Sequence, residues 1–280
     1  MLRISDTARP TRRAALLRAL GFACAGRPLV AAAAEPASSP ILTRPIPHSG
    51  EELPVVGLGT AVNFDVGDGR GDDPAKRAML GEVLRVLVAG GGKLVDTASS
   101  YGNAETLLGA LIAENGLRPK IFLASKLEAG EMARGQSALD EALRRLRTDR
   151  IDLMMLHNVS RPEQNLAPMR PWQAAGTVRY LGISTSFTRD FDAVEAVMRR
   201  EKPDFLEINY SLGDSAAEQR LLPAAAELGV AALIDLPFGR GRLFRAVRDK
   251  ALPEWAPNST RQAGRSSFSN FCSATRPSPR

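Results

Sequence analysis

The chain has 280 residues, 44% of them hydrophobic, and a formal charge of +6, which is enough for one substantial core in a single α/β barrel. The positive charge lies at the two ends: residues 1–34 carry six arginines against Asp6, and residues 257–280 carry four arginines and no acid, leaving a body of −3. That mildly acidic body gives no support to a nucleic-acid partner, and two cysteines, one in each end segment (Cys24 and Cys272), argue against a disulfide framework or a thiolate metal site.

Residues 1–34 read as a targeting segment. Thr11-Arg12-Arg13-Ala14-Ala15-Leu16-Leu17 is a twin-arginine pattern before a weakly apolar stretch, and Ala31 to Ala34 offers A-x-A cleavage sites ahead of Glu35-Pro36. The alternative, a basic arm, rests on Arg18 inside the apolar stretch. Read as a signal, the segment implies the twin-arginine translocation machinery as a partner and a periplasmic or exported destination, with a cytoplasmic one if the signal goes unused. Residues 35–45, rich in Pro, Ala and Ser, read as a linker. No later apolar run is long enough to cross a membrane, so no insertion is expected.

The body follows over residues 46–256. Ile46–His48 and Leu53–Val56 flank Ser49-Gly50-Glu51-Glu52 and predict a β-hairpin. Short aliphatic runs then alternate with longer amphipathic ones. The predicted strands are Val55–Gly59, Lys93–Thr97, Ile121–Lys126, Ile151–His157, Tyr180–Ser184, Phe205–Tyr210 and Val230–Leu236. Between them, helices are predicted at Pro74–Ala89, Ala104–Glu114, Ser137–Arg147, Leu166–Ala175, Asp190–Glu201 and Ala216–Leu228. Strict alternation argues for a parallel sheet, and its rhythm is that of a (β/α)8 TIM-type barrel, incomplete, with about seven of its eight strands. A doubly wound Rossmann fold is the competitor, but Gly57-Leu58-Gly59-Thr60 lacks the third glycine of the dinucleotide fingerprint.

In a barrel, catalytic groups sit at the C-terminal ends of strands. Asp96 ends Lys93-Leu94-Val95, with Tyr101 five residues on; Lys126 ends its strand, and His157 ends Leu153-Met154-Met155-Leu156. Taken singly, each has a structural explanation as a turn residue, a solvated strand end or a hydrogen-bonded core histidine. Taken together they are harder to dismiss, because the chain has only two histidines and three tyrosines. With His48 in the hairpin, a metal-dependent barrel hydrolase has too few ligands.

Val95-Asp96-Thr97-Ala98-Ser99-Ser100-Tyr101-Gly102-Asn103-Ala104-Glu105 resembles the segment of the aldo-keto reductase family that holds the aspartate and tyrosine of its catalytic tetrad. Ala124-Ser125-Lys126 is similar to the family's lysine strand, and Leu156-His157-Asn158 to its histidine strand. Gly182-Ile183-Ser184 and Asn209-Tyr210-Ser211 match two later strands, and the likeness runs from about residue 46 to 255. The resemblance implies an oxidoreductase that passes a hydride between NADP(H), or NAD(H), and a small-molecule aldehyde or ketone.

Hydride delivered to a carbonyl carbon leaves negative charge growing on oxygen, which a proton donor must quench. Tyr101 is expected as that acid, with Lys126 lowering its pKa, Asp96 holding Lys126, and His157 donating a hydrogen bond to the substrate oxygen. On the cofactor side the resemblance implies Thr60, Ser184, Thr185 and Glu207, then the loop Leu236-Pro237-Phe238-Gly239-Arg240-Gly241 for the pyrophosphate, with Leu236, Phe238, Gly239, Arg240 and Gly241 as contacts. This side departs from the family's pattern. Thr185 stands where many members have Asn, Glu207 where many have Gln, and Asp235 where a stacking tyrosine is expected. A carboxylate accepts hydrogen bonds but lacks an amide N–H to donate. A catalytically impaired barrel that binds cofactor or a partner is therefore the competing reading.

Residues 257–280 are rich in Ser, Arg, Pro and Asn without helical or strand period, and read as disordered. Codons shifted by one frame from Pro257 onward permit an apolar helix and a strand start, so this tail is expected to be out of frame.

Overall fold

The computed structural model describes residues 41–65 and 73–250. The expected signal segment (1–34), most of the linker and the tail (257–280) lie outside the described residues.

The chain opens with an antiparallel hairpin of β1 (Thr43–Pro45) and β2 (Glu52–Pro54). The hairpin is as expected, but its strands are displaced and β1 begins within the expected linker. The cause is a turn that starts at Ile46, whose carbonyl accepts from the Ser49 and Gly50 amides while its own amide donates to Glu51. Gly50 takes a positive φ of 72° to complete it.

Seven parallel strands follow, each bonded to the next in chain order: β3 (Gly57–Gly59), β4 (Leu94–Asp96), β5 (Phe122–Leu127), β6 (Ile151–Leu156), β7 (Val178–Thr185), β8 (Phe205–Asn209) and β9 (Ala231–Asp235). Helices α1 (Pro74–Ala89), α2 (Ala104–Glu114), α3 (Ala129–Met132), α4 (Gln136–Leu146), α5 (Arg170–Ala174), α6 (Phe191–Glu201) and α7 (Leu221–Leu228) lie between the strands, and α8 (Arg242–Ala246) comes after β9. This is an incomplete (β/α)8 barrel. Among the described residues, β3 and β9 each pair on one edge only. No helix among them is long and apolar enough to cross a membrane.

Local chemistry sets the element ends. Asp73 caps α1 by accepting from the amides of Ala75 and Lys76, with Pro74 in the first turn, where no N–H is needed. α4 buries Ala138, Leu139, Ala142 and Leu146, a stripe of helical spacing. Two predicted helices are shorter than expected. Pro168 and Pro171 remove amide donors, so Leu166–Ala175 divides into a 3-10 turn and α5; Pro223 likewise leaves Gln219 without an α-helical partner, and Ala216–Leu228 divides before α7.

Strand alternation sorts the core into two bodies. One lies between sheet and helices and includes Val95, Leu123, Met154, Ile183 and Ile208. The other fills the barrel itself: Phe122, Leu153, Met155, Tyr180 and Phe205 pack with Ile46 and Leu53 of the hairpin, which closes the N-terminal end. The rings of Phe122, Tyr180 and Phe205 are 5.6–5.9 Å apart, each pair adding about 1 kcal/mol beyond its buried area. Arg179 ties hairpin to barrel, donating to Asp152 at 2.9 Å and to Glu51. Along each strand these apolar inward positions give way, two residues on at a time, to polar ones at the C-terminal end. Those polar residues form the site.

Candidate active site at the barrel mouth

Leu94 and Asp96 share the inward face of β4, and Phe122, Ala124 and Lys126 that of β5; Asp96 pairs with Ala124 in register. The Lys126 ammonium reaches the Asp96 carboxylate at 2.5 Å and the Thr97 carbonyl at 3.1 Å. It also lies 3.2 Å from Glu207, which reaches it from β8. Lys126 is only 1% exposed, so its charge persists through these two carboxylates. They hold its pKa above the ordinary lysine value even though burial alone would lower it.

Tyr101 follows β4 in the turn that leads to α2. Gly102 makes that turn possible: its φ is +58°, and a side chain there would collide with the Asp65 carboxylate, which accepts from the Asn103 amide at 3.0 Å. The Lys126 ammonium lies 5.3 Å from the centre of the Tyr101 ring, and the His157 ring meets Tyr101 edge-on at 5.8 Å. All four expected catalytic residues are therefore brought together.

The expected lowering of the Tyr101 pKa is not found. Burial pushes it up to about 12; Lys126 opposes this, but Asp96 and Glu207 add to it. Lys126 is the strongest charge acting on the phenol, but burial outweighs it. Tyr101 thus stands fully protonated at neutral pH.

His157 is neutral, its pKa depressed to about 4 by burial and then by the Lys126 charge. Its Nδ1 faces Ser100 Oγ at 3.2 Å and Glu128 Oε1 at 3.0 Å. A neutral ring offers one donor and one acceptor nitrogen. Ser100 donating to Nδ1 leaves Nε2–H as a donor, whereas Nδ1–H donating to the Glu128 carboxylate leaves Nε2 as an acceptor. Neither Ser100 nor Glu128 is a candidate from sequence, since their value lies in contacts across loops.

The remaining expected residues divide into two groups. Thr60, Ser184 and Glu207 are buried at strand ends and each leaves a polar atom without a protein partner, as do Asn209 Oδ1 and Asp235 Oδ1. Such atoms are costly, about 1–3 kcal/mol each, unless a ligand or solvent satisfies them, and together they suit a polar ligand with donors and acceptors of its own. Asn209 is not among the residues expected from sequence; its position two residues beyond Glu207, on the same face and at the C-terminal end of β8, is the available signal. Thr185 differs, because its hydroxyl accepts from the Phe187 amide at 3.2 Å and so shapes the turn after β7.

Leu236, Gly239, Arg240 and Gly241 all take positive φ, coiling the loop after β9 into a tight turn, and Phe238 anchors it against Phe244 at 5.2 Å. Beside it lies a cleft of about 260 Å³ lined by Asn209, Ser211, Leu236, Arg240, Arg242 and Arg245. Three guanidinium groups and glycine backbone, against the one carboxylate of Asp214 that also lines the cleft, suit an anionic group.

The model of the Aldo/keto reductase family matches residues 55–275. The chain belongs to the aldo/keto reductase family. Methylglyoxal reductase YeaE of Escherichia coli is 32% identical over 216 residues, which cover 74% of this chain and 72% of the relative. An aldo/keto reductase from Klebsiella pneumoniae, solved with NADP and acetate, superposes with a TM-score of 0.59 at 26% identity, over 72% of this chain and 71% of that one. The holo form of an aldo-keto reductase from Bacillus halodurans does so with a TM-score of 0.58 at 26% identity, over 76% and 71%. The family match runs past residue 256, the expected start of the displaced frame.

Proposed function

We propose that this aldo/keto reductase reduces the carbonyl of a small aldehyde or ketone to an alcohol with NADP(H), Tyr101 serving as general acid. The observation that carries the reading is the Lys126–Asp96 contact at 2.5 Å, with Tyr101 and His157 beside it at the mouth of the barrel. When bound, the nicotinamide supplies a hydride to the carbonyl carbon. Tyr101 gives its phenolic proton to the oxygen as charge develops there, and Lys126 stabilises the tyrosinate left behind. His157 orients the same oxygen through Nε2–H. Ser184, Glu207 and Asn209 would meet the nicotinamide end, and the Leu236–Gly241 loop with its arginines the phosphates.

The test is NADPH oxidation, followed optically, with a panel of aromatic and short aliphatic aldehydes, and with NADH in parallel. Aldehyde-dependent, saturable oxidation is expected; absence of NADPH binding and turnover overturns the reading.

Glu207 supports a second reading, an impaired barrel that binds cofactor without turning it over, because it engages the lysine that the acid needs. Binding without turnover would select it. The twin-arginine pattern supports export to the periplasm, which cell fractionation checks. We further propose that residues 257–280 are read in a displaced frame, which the nucleotide sequence decides: an early stop in the shifted frame ends that idea.

A further inference from the structure

Three carboxylates from three strands, Asp96, Glu207 and Asp235, face one buried ammonium, Lys126. Glu207 is the most telling of them. It is 6% exposed, its Oε1 meets Lys126 at 3.2 Å, and its Oε2 has no protein partner. Asp235 accepts from Ser186 through one oxygen and leaves the other buried and unpartnered. The other charged or titratable groups acting here are Tyr101, in the turn after β4, and Arg240, whose charge acts on Asp235. Ser184, on β7 in register with Glu207, adds an unpartnered buried hydroxyl. Carboxylates outnumber the ammonium, so the floor of the site has buried oxygens without protein partners and, once Glu207 ionises, uncompensated negative charge.

A delocalised organic cation is the ligand chemistry that such a floor favours. The two redox states of a nicotinamide differ in this respect, the oxidised ring being cationic and the reduced ring neutral. Resting on the NADP(H) reading above, we propose that Glu207, with Asp235, makes this site bind the oxidised nicotinamide in preference to the reduced one. The reason lies in charge alone, since both forms carry the same ribose and phosphates.

The preference must depend on pH. Burial and the neighbouring Asp96 charge raise the Glu207 pKa to about 8, against the pull of Lys126. Below that value Glu207 is a neutral acid, able to donate a hydrogen bond as an amide would; above it, Glu207 presents a charge. A cation bound beside it favours the ionised form, so NADP+ binding also releases protons near neutral pH.

The experiment measures dissociation constants of NADP+ and NADPH by calorimetry from pH 6 to 9, in buffers of differing ionisation enthalpy. The expected result is a Kd(NADPH)/Kd(NADP+) ratio that rises about tenfold across the range, with more protons released on binding NADP+ than on binding NADPH. Titration of phosphates shared by the two forms cancels in the ratio. In Glu207→Gln the ratio should fall and lose its pH dependence. Asp235→Asn, which leaves the Lys126 contact intact, should lower the ratio independently, and the wild-type titration needs no variant. A flat ratio in the wild type, or one unmoved by both substitutions, overturns the inference while leaving the cofactor reading standing. Failure of both forms to bind overturns the inference and the cofactor reading together.

Discussion

The Glu207 carboxylate lies 3.2 Å from the Lys126 ammonium, which Asp96 already engages at 2.5 Å. The two carboxylates come from β8 and β4, on either side of the β5 lysine in sheet order. This arrangement keeps Lys126 charged inside the protein, and it keeps the Tyr101 proton in place.

It also makes stability depend on pH. The folded-state pKa of Glu207 is raised to about 8, against an ordinary value of 4.5. A raised pKa contributes stability that is present below the unfolded value and is lost as pH climbs through the folded one. The wild type should therefore lose stability relative to Glu207→Gln between about pH 4.5 and 8, the difference in melting temperature changing by several degrees. Thermal melts of both proteins at pH 5 and pH 8 measure this; parallel curves would contradict it.

Ser100 is a positioning residue for His157. Without its hydroxyl, Nδ1 faces only the Glu128 carboxylate, and the ring should take the Nδ1–H form, which leaves Nε2 unable to donate. Ser100→Ala should lower kcat by roughly tenfold with a small change in KM. Nitrogen NMR of the imidazoles reads the tautomer directly, and the chain has only two histidines to assign. An Nε2–H ring persisting in the variant would defeat the argument.

At the other end of the barrel, Arg179 joins Asp152 to Glu51 of the hairpin turn, and Tyr180 donates to Glu51 at 2.8 Å. Arg118 also holds Asp152, at 3.0 Å, so one cation remains if Arg179 is removed. Arg179→Met should cost about 1–2 kcal/mol in denaturant unfolding and leave kcat unchanged. A loss of activity with unchanged stability would show that the hairpin does more than close the barrel.

What could be read from sequence follows from periodicity. Strands such as Ile151–Leu156 lie between an apolar barrel interior and a helical layer, so their aliphatic runs announce them, and Asp96, Lys126 and His157 stand out where those runs end. The tetrad was legible for that reason, and because Tyr101 lies close in sequence to Asp96. The Lys126–Glu207 contact was not legible, since it joins residues 81 apart across the barrel and no local pattern encodes it. Glu207 could be noticed as a departure from the family's pattern, but not as a partner of the lysine. Nor could spacing show that Ser100 and Glu128 converge on one imidazole nitrogen. The divided helices were a different matter: Pro168, Pro171 and Pro223 are visible in the sequence, and apolar periodicity alone outweighed them.

Tyr101 as the proton donor is tested by kcat of Tyr101→Phe measured beside its NADPH dissociation constant. The phenol is the group lost, while the ring that packs against His157 stays. A fall in kcat of about a thousandfold is expected, with the dissociation constant changed by less than about threefold. Turnover within a few-fold of wild type would contradict it and leave the buried Lys126–Asp96–Glu207 cluster without its proposed purpose.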